Sequence, residues 1–313
     1  MSRKTKKENN SFIWFLPLVL TIVLAILIVV LFIVKELKKE PGLLPKTEVE
    51  SPVVSIPEPV QDVKEDKDVD THKEKKTVSL LPTQTKKKKT FSGKPRIALI
   101  IDDVGWNKEI VKELEKINQP FTLSILPKAQ HSEEIFDSIK NNRVVELFLH
   151  QPMEPIPPAR SLDKGLLTTK MAKEELVEQF KDNLKYYYPH IKGVNNHMGS
   201  LFTTNKEKMK IVLEEMKDKD LVFVDSMTST KSCGYQLAKD MGLKAGKRDV
   251  FLDNISDQKY IENQIKELVE TAKREGSAIG IGHARKTTVQ VLKKVIPSLT
   301  DEVDIVSASS LLE

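Results

Sequence analysis

Two adjacent carboxylates close the apolar run Arg96-Ile-Ala-Leu-Ile-Ile-Asp-Asp-Val-Gly105, and a reactive side chain stands just past several other short apolar runs. Asp102 and Asp103 follow IALII, His150 follows ELFL, His197 follows GVNN, Asp225 follows LVFV and His283 follows AIGIG. One carboxylate with two imidazoles is a suitable ligand set for a divalent metal, most simply zinc with one position left open for water. Such an ion lowers the pKa of that water to about 7 and polarises a substrate carbonyl. A second carboxylate beside the ligand can take the proton, and a third histidine can protonate the leaving group, each transfer contributing about 10²–10⁴ in rate. That is the machinery of amide or ester hydrolysis.

Each residue also has a structural explanation. An Asp at a strand end often caps the next helix, although capping accounts for only one of Asp102 and Asp103. A lone strand-end His can be hydrogen-bonded scaffold, and Asp225 can equally bond the turn Ser226–Thr230. His72, His131 and His190 lie in other contexts and are left outside the site.

The elements that must position these residues begin beyond Lys94, where short apolar runs alternate with amphipathic stretches in the manner of an α/β domain. The pattern predicts strands over 97–101, 122–126, 144–149, 193–195, 221–224, 250–252, 278–281 and 305–308. It predicts helices over 108–117, 133–141, 172–187, 206–217, 258–274 and 287–296. Asn205 and Asp257 stand where N-caps belong, and Gly276 where a helix should stop. In parallel α/β folds every strand carboxyl end lies on one face, so the spacing predicts that the acids and histidines cluster.

The first part of the chain has a different texture. A basic tail, 1–11, precedes Phe12–Val34, an uncharged apolar run long enough to span a bilayer and read as a transmembrane anchor helix. The run leads directly into Lys-Glu-Leu-Lys-Lys without a small-residue cleavage site, so it is expected to stay attached. Lysines and arginine flank both ends, and the charge rule does not orient it. Residues 35–93 are rich in Pro, Lys and Glu, the composition of a disordered tether, and lead to a domain over 94–313. Much of the +5 net charge sits in this first part, so nucleic-acid binding is not expected. The single cysteine, Cys233, excludes an intramolecular disulfide and a Cys-rich zinc site.

From about Pro95 onward, the segments IALIIDDVG, LHQPMEP, GVNNHMGS, LVFVDS, KRDVFLDN and AIGIGH resemble the divergent polysaccharide deacetylases, relatives of the NodB-type carbohydrate deacetylases. The resemblance implies a distorted (β/α) barrel of about seven parallel strands with its site at the strand carboxyl ends. It implies Asp102 as general base, Asp103, His150 and His197 as metal ligands, and His283 as general acid. It also points to Arg248 and Asp249 as a charged pair that orients base or acid, with Asp225 a competitor for that role and a structural ion pair as the alternative. Apart from the resemblance, Glu154 lies four residues beyond His150 and is a candidate ligand or substrate contact, with bracing of its Pro-rich loop as the alternative. One departure stands out: NodB-type enzymes draw both metal histidines from a His-x-x-x-His segment, which the domain lacks.

Two functions follow as expectations. The first is a metal-dependent hydrolase, single-pass in a bacterial cell membrane with its domain outside the cytoplasm, that removes acetyl groups from an envelope polysaccharide. The second is a catalytically silent glycan-binding or scaffold domain that uses the same cleft.

Overall fold

The computed structural model describes residues 93–159, 161 and 163–312. The expected tail, anchor and nearly all of the tether lie outside the described residues; among those described, no helix is long and apolar enough to cross a membrane. Among the described residues there are nine strands: β1 (Arg96–Val104), β2 (Phe121–Ile125), β3 (Glu146–Met153), β4 (Gly193–Met198), β5 (Val222–Asp225), β6 (Ala245–Lys247), β7 (Val250–Phe251), β8 (Ser277–His283) and β9 (Asp304–Val306). Between them run α1 (Lys108–Glu115), α2 (Ser132–Ile139), α3 (Lys173–Leu184), α4 (Lys206–Lys217), α5 (Gly234–Asp240), α6 (Gln258–Glu275) and α7 (Lys286–Glu302).

The strands form one parallel sheet in the order β6-β5-β4-β3-β2-β1-β8-β7, with β9 beside the start of β1. Its two ends belong to one stretch of chain. Only Arg248 and Asp249 separate β6 from β7; the Arg248 amide donates to the Asp225 carbonyl of β5, and the Asp249 amide to the Ile279 carbonyl of β8. The sheet therefore curls until its ends meet at 245–251, and counting that stretch as one strand leaves seven, with β9 as an addition.

Side-chain alternation sorts the sheet into an outer and an inner face. Ile97, Leu99 and Ile101 of β1 pack outward into the larger core with the helices. Ala98 and Ile100 turn inward, where Phe148, Val224, Ile279 and Ile281 meet them. Ala308 and Leu312 from the C-terminal segment join the same inner cluster. Continued toward the carboxyl ends, the inward positions become polar: Asp102, Ser124, His150, Asn195 and His283. Gly193 faces Phe148 across the β3–β4 pair, and a Cβ there would fall 2.6 Å from both the Phe148 ring and Val222.

The caps form as expected: Asn205 accepts from the Lys208 amide, Asp257 from the Tyr260 amide, and Gly276 ends α6 at φ 93°. Two elements were not anticipated. Ala245-Gly-Lys has no β-branched or aromatic residue to mark β6, and α5 is seven residues long with Leu237 and Ala238 as its buried apolar residues. Helix α7 also runs through Pro297, where the pattern predicted an end; Pro removes one backbone donor, and burial of Leu299 and Val303 holds the last turn.

Truncating Phe148→Ala should lower unfolding stability by about 3–5 kcal/mol in urea titration, because it empties the centre of the inner cluster. A loss below about 1 kcal/mol would contradict this packing.

Candidate metal centre at the strand ends

Strict alternation would send Asp102 inward and Asp103 outward. Asp102 does continue the inward row and is 3% exposed. Asp103, however, adopts φ 59°, and the β1–β2 register shifts between Ile101 and Val104. This bulge re-aims Asp103 to the inner side beside its neighbour. The two acids therefore converge rather than diverge, at a cost of roughly 1–2 kcal/mol for a left-handed residue that Asp tolerates better than most.

β3 runs on past the expected end at 149, so His150 lies inside it, and His197 lies one residue before the end of β4; both meet Asp103. His150 Nε2 lies 3.4 Å from Asp103 Oδ1 and His197 Nδ1 lies 3.0 Å from the same oxygen. The two ring nitrogens are 3.1 Å apart. The remaining nitrogen of His150 fixes its tautomer. Asn195 Nδ2 donates to Asp102 Oδ1 at 2.9 Å, which turns Asn195 Oδ1 toward His150 Nδ1 at 3.0 Å; that nitrogen must donate, and Nε2 keeps its lone pair. His197 Nε2 lies 3.2 Å from Asp163 Oδ2 on the side of the ring away from Asp103.

Three potential ligand atoms thus face one another, and Asp103 Oδ1 is buried with no hydrogen-bond partner among the described residues despite its short distances to two nitrogens. An orphaned buried carboxylate oxygen is costly unless a cation satisfies it. Bonds of about 2.0–2.1 Å to a tetrahedral ion put ligand atoms about 3.3 Å apart, close to the observed spacing. The donor set fits a divalent ion such as zinc, with Asn195 hydrogen-bonded to His150 and the Asp163 carboxylate beside the outer nitrogen of His197.

The acids differ electrostatically. Burial pushes the Asp102 carboxyl above its ordinary range, against the pull of His150 and Asn195. Burial acts the same way on Asp103, but the two imidazoles against its Oδ1 outweigh it and hold this carboxyl well below that range. Asp103 is the acid that stays charged; Asp102 is the better proton acceptor. Asp102 and Asp103 together outweigh the burial of His150 and hold it above the ordinary imidazole value, so an ion bound at Nε2 would displace a proton from it.

His283 ends β8, with Nε2 3.9 Å from Asp103 Oδ2, across the carboxylate from the other two rings. Its Nδ1 meets Asp253 Oδ1 at 2.8 Å, while Asp253 Oδ2 accepts from the His283 amide at 2.8 Å and the Thr288 hydroxyl at 2.6 Å. Burial depresses His283, but the Asp253 hydrogen bond prevails and raises it. Asp253 is displaced in the opposite sense, downward, because His283 overcomes its burial.

The other candidates lie outside these contacts. Arg248 donates through Nε and Nη2 to the carbonyls of Ser226 and Met227, and Asp249 accepts from the Ile279 amide; the two form no ion pair among the described residues. Asp225 accepts from Met227, Ser232 and Tyr235, bracing the turn after β5. Glu154 Oε2 takes both the amide and hydroxyl of Thr169, tying down the loop after β3. The contact that orients His283 comes from Asp253, two positions beyond β7, where the strand-end rule points. Asn195 was legible as an amide inside a strand, whereas Asp163 sits in a loop with no local signal.

The sequence profile described as divergent polysaccharide deacetylase matches residues 99–312. The uncharacterized protein YibQ of Escherichia coli (strain K12) is 31% identical over 217 residues, which span 69% of this chain and 67% of that protein. An uncharacterized protein of Haemophilus influenzae is 28% identical over 216 residues, 69% of this chain and 76% of its own. The crystal structure of an uncharacterized protein from Agrobacterium tumefaciens C58 shares the fold, with a TM-score of 0.64 at 21% identity over 71% of this chain and 91% of that one.

For His283, a raised folded pKa means stability that is fully present below the ordinary imidazole value of about 6.5 and lost as pH rises through the folded value. Asp253→Asn should therefore shift the His283 ring titration, followed by NMR, to lower pH. An unchanged midpoint would show that Asp253 does not set it.

Proposed function

This chain belongs to the divergent polysaccharide deacetylase family, and from that membership and the strand-end cluster we propose that it is a metal-dependent hydrolase releasing acetyl groups from an envelope polysaccharide. The observation that carries the proposal is the convergence of Asp103 Oδ1, His150 Nε2 and His197 Nδ1 at 3.0–3.4 Å, with the His150 tautomer set by Asn195. A glycan-binding cleft alone has no use for three potential ligand atoms aimed at one point. The missing His-x-x-x-His spacing, which favours a silent binding domain, loses weight because adjacent strands β3 and β4 bring the two rings together instead.

A divalent ion held by Asp103, His150 and His197 would supply Lewis acidity to water and to the acyl carbonyl. Asp102, whose Oδ2 is 3.6 Å from His150 Nε2, borders the same point and receives the proton of the attacking water. The water oxygen bonds to the carbonyl carbon. His283, held by Asp253 through Nδ1, gives its Nε2 proton to the departing nitrogen or oxygen as the acyl bond breaks. Acetate and a free amine or hydroxyl are the products. Asn195 serves both halves, since one amide orients His150 and holds Asp102.

The proposal includes Phe12–Val34 as a membrane anchor and 35–93 as a tether. At about 5–6 Å × √n, a flexible segment of that length would let the domain range some 40 Å from the bilayer, a reach suited to a wall polymer.

Zinc titration of the purified full chain should show one bound ion, abolished by Asp103→Ala and weakened about 10- to 100-fold by Asp163→Asn. Acetate release from acetylated glycans should fall about 10²–10⁴-fold in His283→Ala with zinc binding kept. Zinc binding unaffected by Asp103→Ala would sink the metal centre, and zinc without acetate from any glycan would favour the silent binding domain. Protease added to intact cells should cut the tether; full protection would place the domain inside.

A further inference from the structure

Trp106 follows β1 and is 54% exposed, a large apolar side chain left in solvent. Its backbone is nevertheless held from both sides. The Gly105 carbonyl accepts from the His131 amide at 2.8 Å, and Asn107 caps α1 by accepting from the Glu109 and Ile110 amides. An indole displayed on a rigid three-residue loop binds without paying for ordering that loop.

It borders a cavity of about 560 Å³ shared with Lys128, Gln130, Pro152, Asp163 and Lys164. That volume lies in the range of small-ligand sites. The cavity abuts the metal centre, because Asp163 in its wall touches His197. A second cavity of about 620 Å³ shares Lys128, Gln130 and Lys164 with the first and extends the groove to Tyr186. Lys164 is positioned by its neighbour Gly165, whose carbonyl accepts from Gln151 at 3.0 Å and Asn183 at 2.7 Å.

The charges in the first cavity are not equally available. Asp163 is engaged by His197 and by the Ser161 hydroxyl, and Lys128 pairs with Asp182. Lys164 has no carboxylate partner among the described residues and is exposed. An indole face suits the C–H face of a pyranose, Gln130 suits its hydroxyls, and the ammonium of Lys164 suits a carboxylate on the same ring.

We propose that the Trp106 cavity is a saccharide subsite, one sugar away from the reacting centre, that prefers a carboxylate-bearing sugar in a chain running on toward Tyr186. The assignment deepens the deacetylase proposal and rests on it. Trp106 contributes the stacking platform for any sugar, and Lys164 contributes the preference for an acidic one.

The test is calorimetric binding of two probes to the zinc-loaded full chain: tetra-N-acetylchitotetraose, which is neutral, and hyaluronan tetrasaccharide, which carries a carboxylate on alternate sugars. The acidic probe should bind about tenfold more tightly at low salt, the worth of one charge-assisted hydrogen bond. Lys164→Gln should erase that difference with neutral binding unchanged, and Trp106→Ala should weaken both probes. Equal binding of the two probes, or indifference to both substitutions, overturns the subsite. Acetate release from the two probes and other acetylated glycans separates the proposals: release with no effect of Trp106→Ala on KM refutes the subsite alone, and altered binding without release from any of them refutes the hydrolase alone.

Discussion

Asn195 Oδ1 receives His150 Nδ1 and the Ser124 hydroxyl, while its Nδ2 donates to Asp102 Oδ1 and the Ser226 hydroxyl. One fully buried amide on β4 thereby joins the carboxyl ends of β1, β2 and β3 and the residue after β5. Four polar groups buried without partners would each cost on the order of 1–3 kcal/mol, so this network makes the top of the inner face tolerable as well as ordered. It also dictates which nitrogen of His150 is free. A carboxylate in place of the amide would leave Asp102 facing a like charge; an aliphatic residue would leave His150 free to rotate.

Around that amide, the acids and imidazoles are arranged to hold charge apart by position. Asp103 is bent out of strand alternation to share an edge with His150 and His197, and Asp102 remains in the row behind it. Two like charges so close are costly in a buried setting, which is why one acid is pulled down by two histidines and the other is pushed up by burial. On the far side, Asp253 fixes His283 by a side-chain and a backbone hydrogen bond, so its outward nitrogen is aimed at the same space. The apolar floor beneath, centred on Phe148, holds the strands whose ends carry these groups.

Much of this was legible in the chain. Parallel α/β order and the clustering of Asp102, Asp103, His150, His197 and His283 follow from apolar runs that each end on a polar residue. Three features were not. The left-handed turn at Asp103 depends on a bulge against β2, which no local pattern announces. Asp253 lay two residues past a two-residue strand, beside the more conspicuous charges of Arg248 and Asp249, and its partner is thirty residues away. Asp163 reaches His197 only because Gly165, Leu167 and Thr169 pin a long loop through contacts with Gln151, Asn183, Pro152 and Glu154. Long-range pinning of this kind leaves no periodicity to read.

The central claim is that two imidazoles and one carboxylate converge on a divalent ion. X-ray absorption of the zinc-loaded chain examines that ligand shell directly. The account predicts two imidazoles with oxygen ligands at about 2.0–2.1 Å and no sulfur, with half of the imidazole outer-shell scattering lost in His197→Ala. A shell without imidazole, or one unchanged by that substitution, would contradict it.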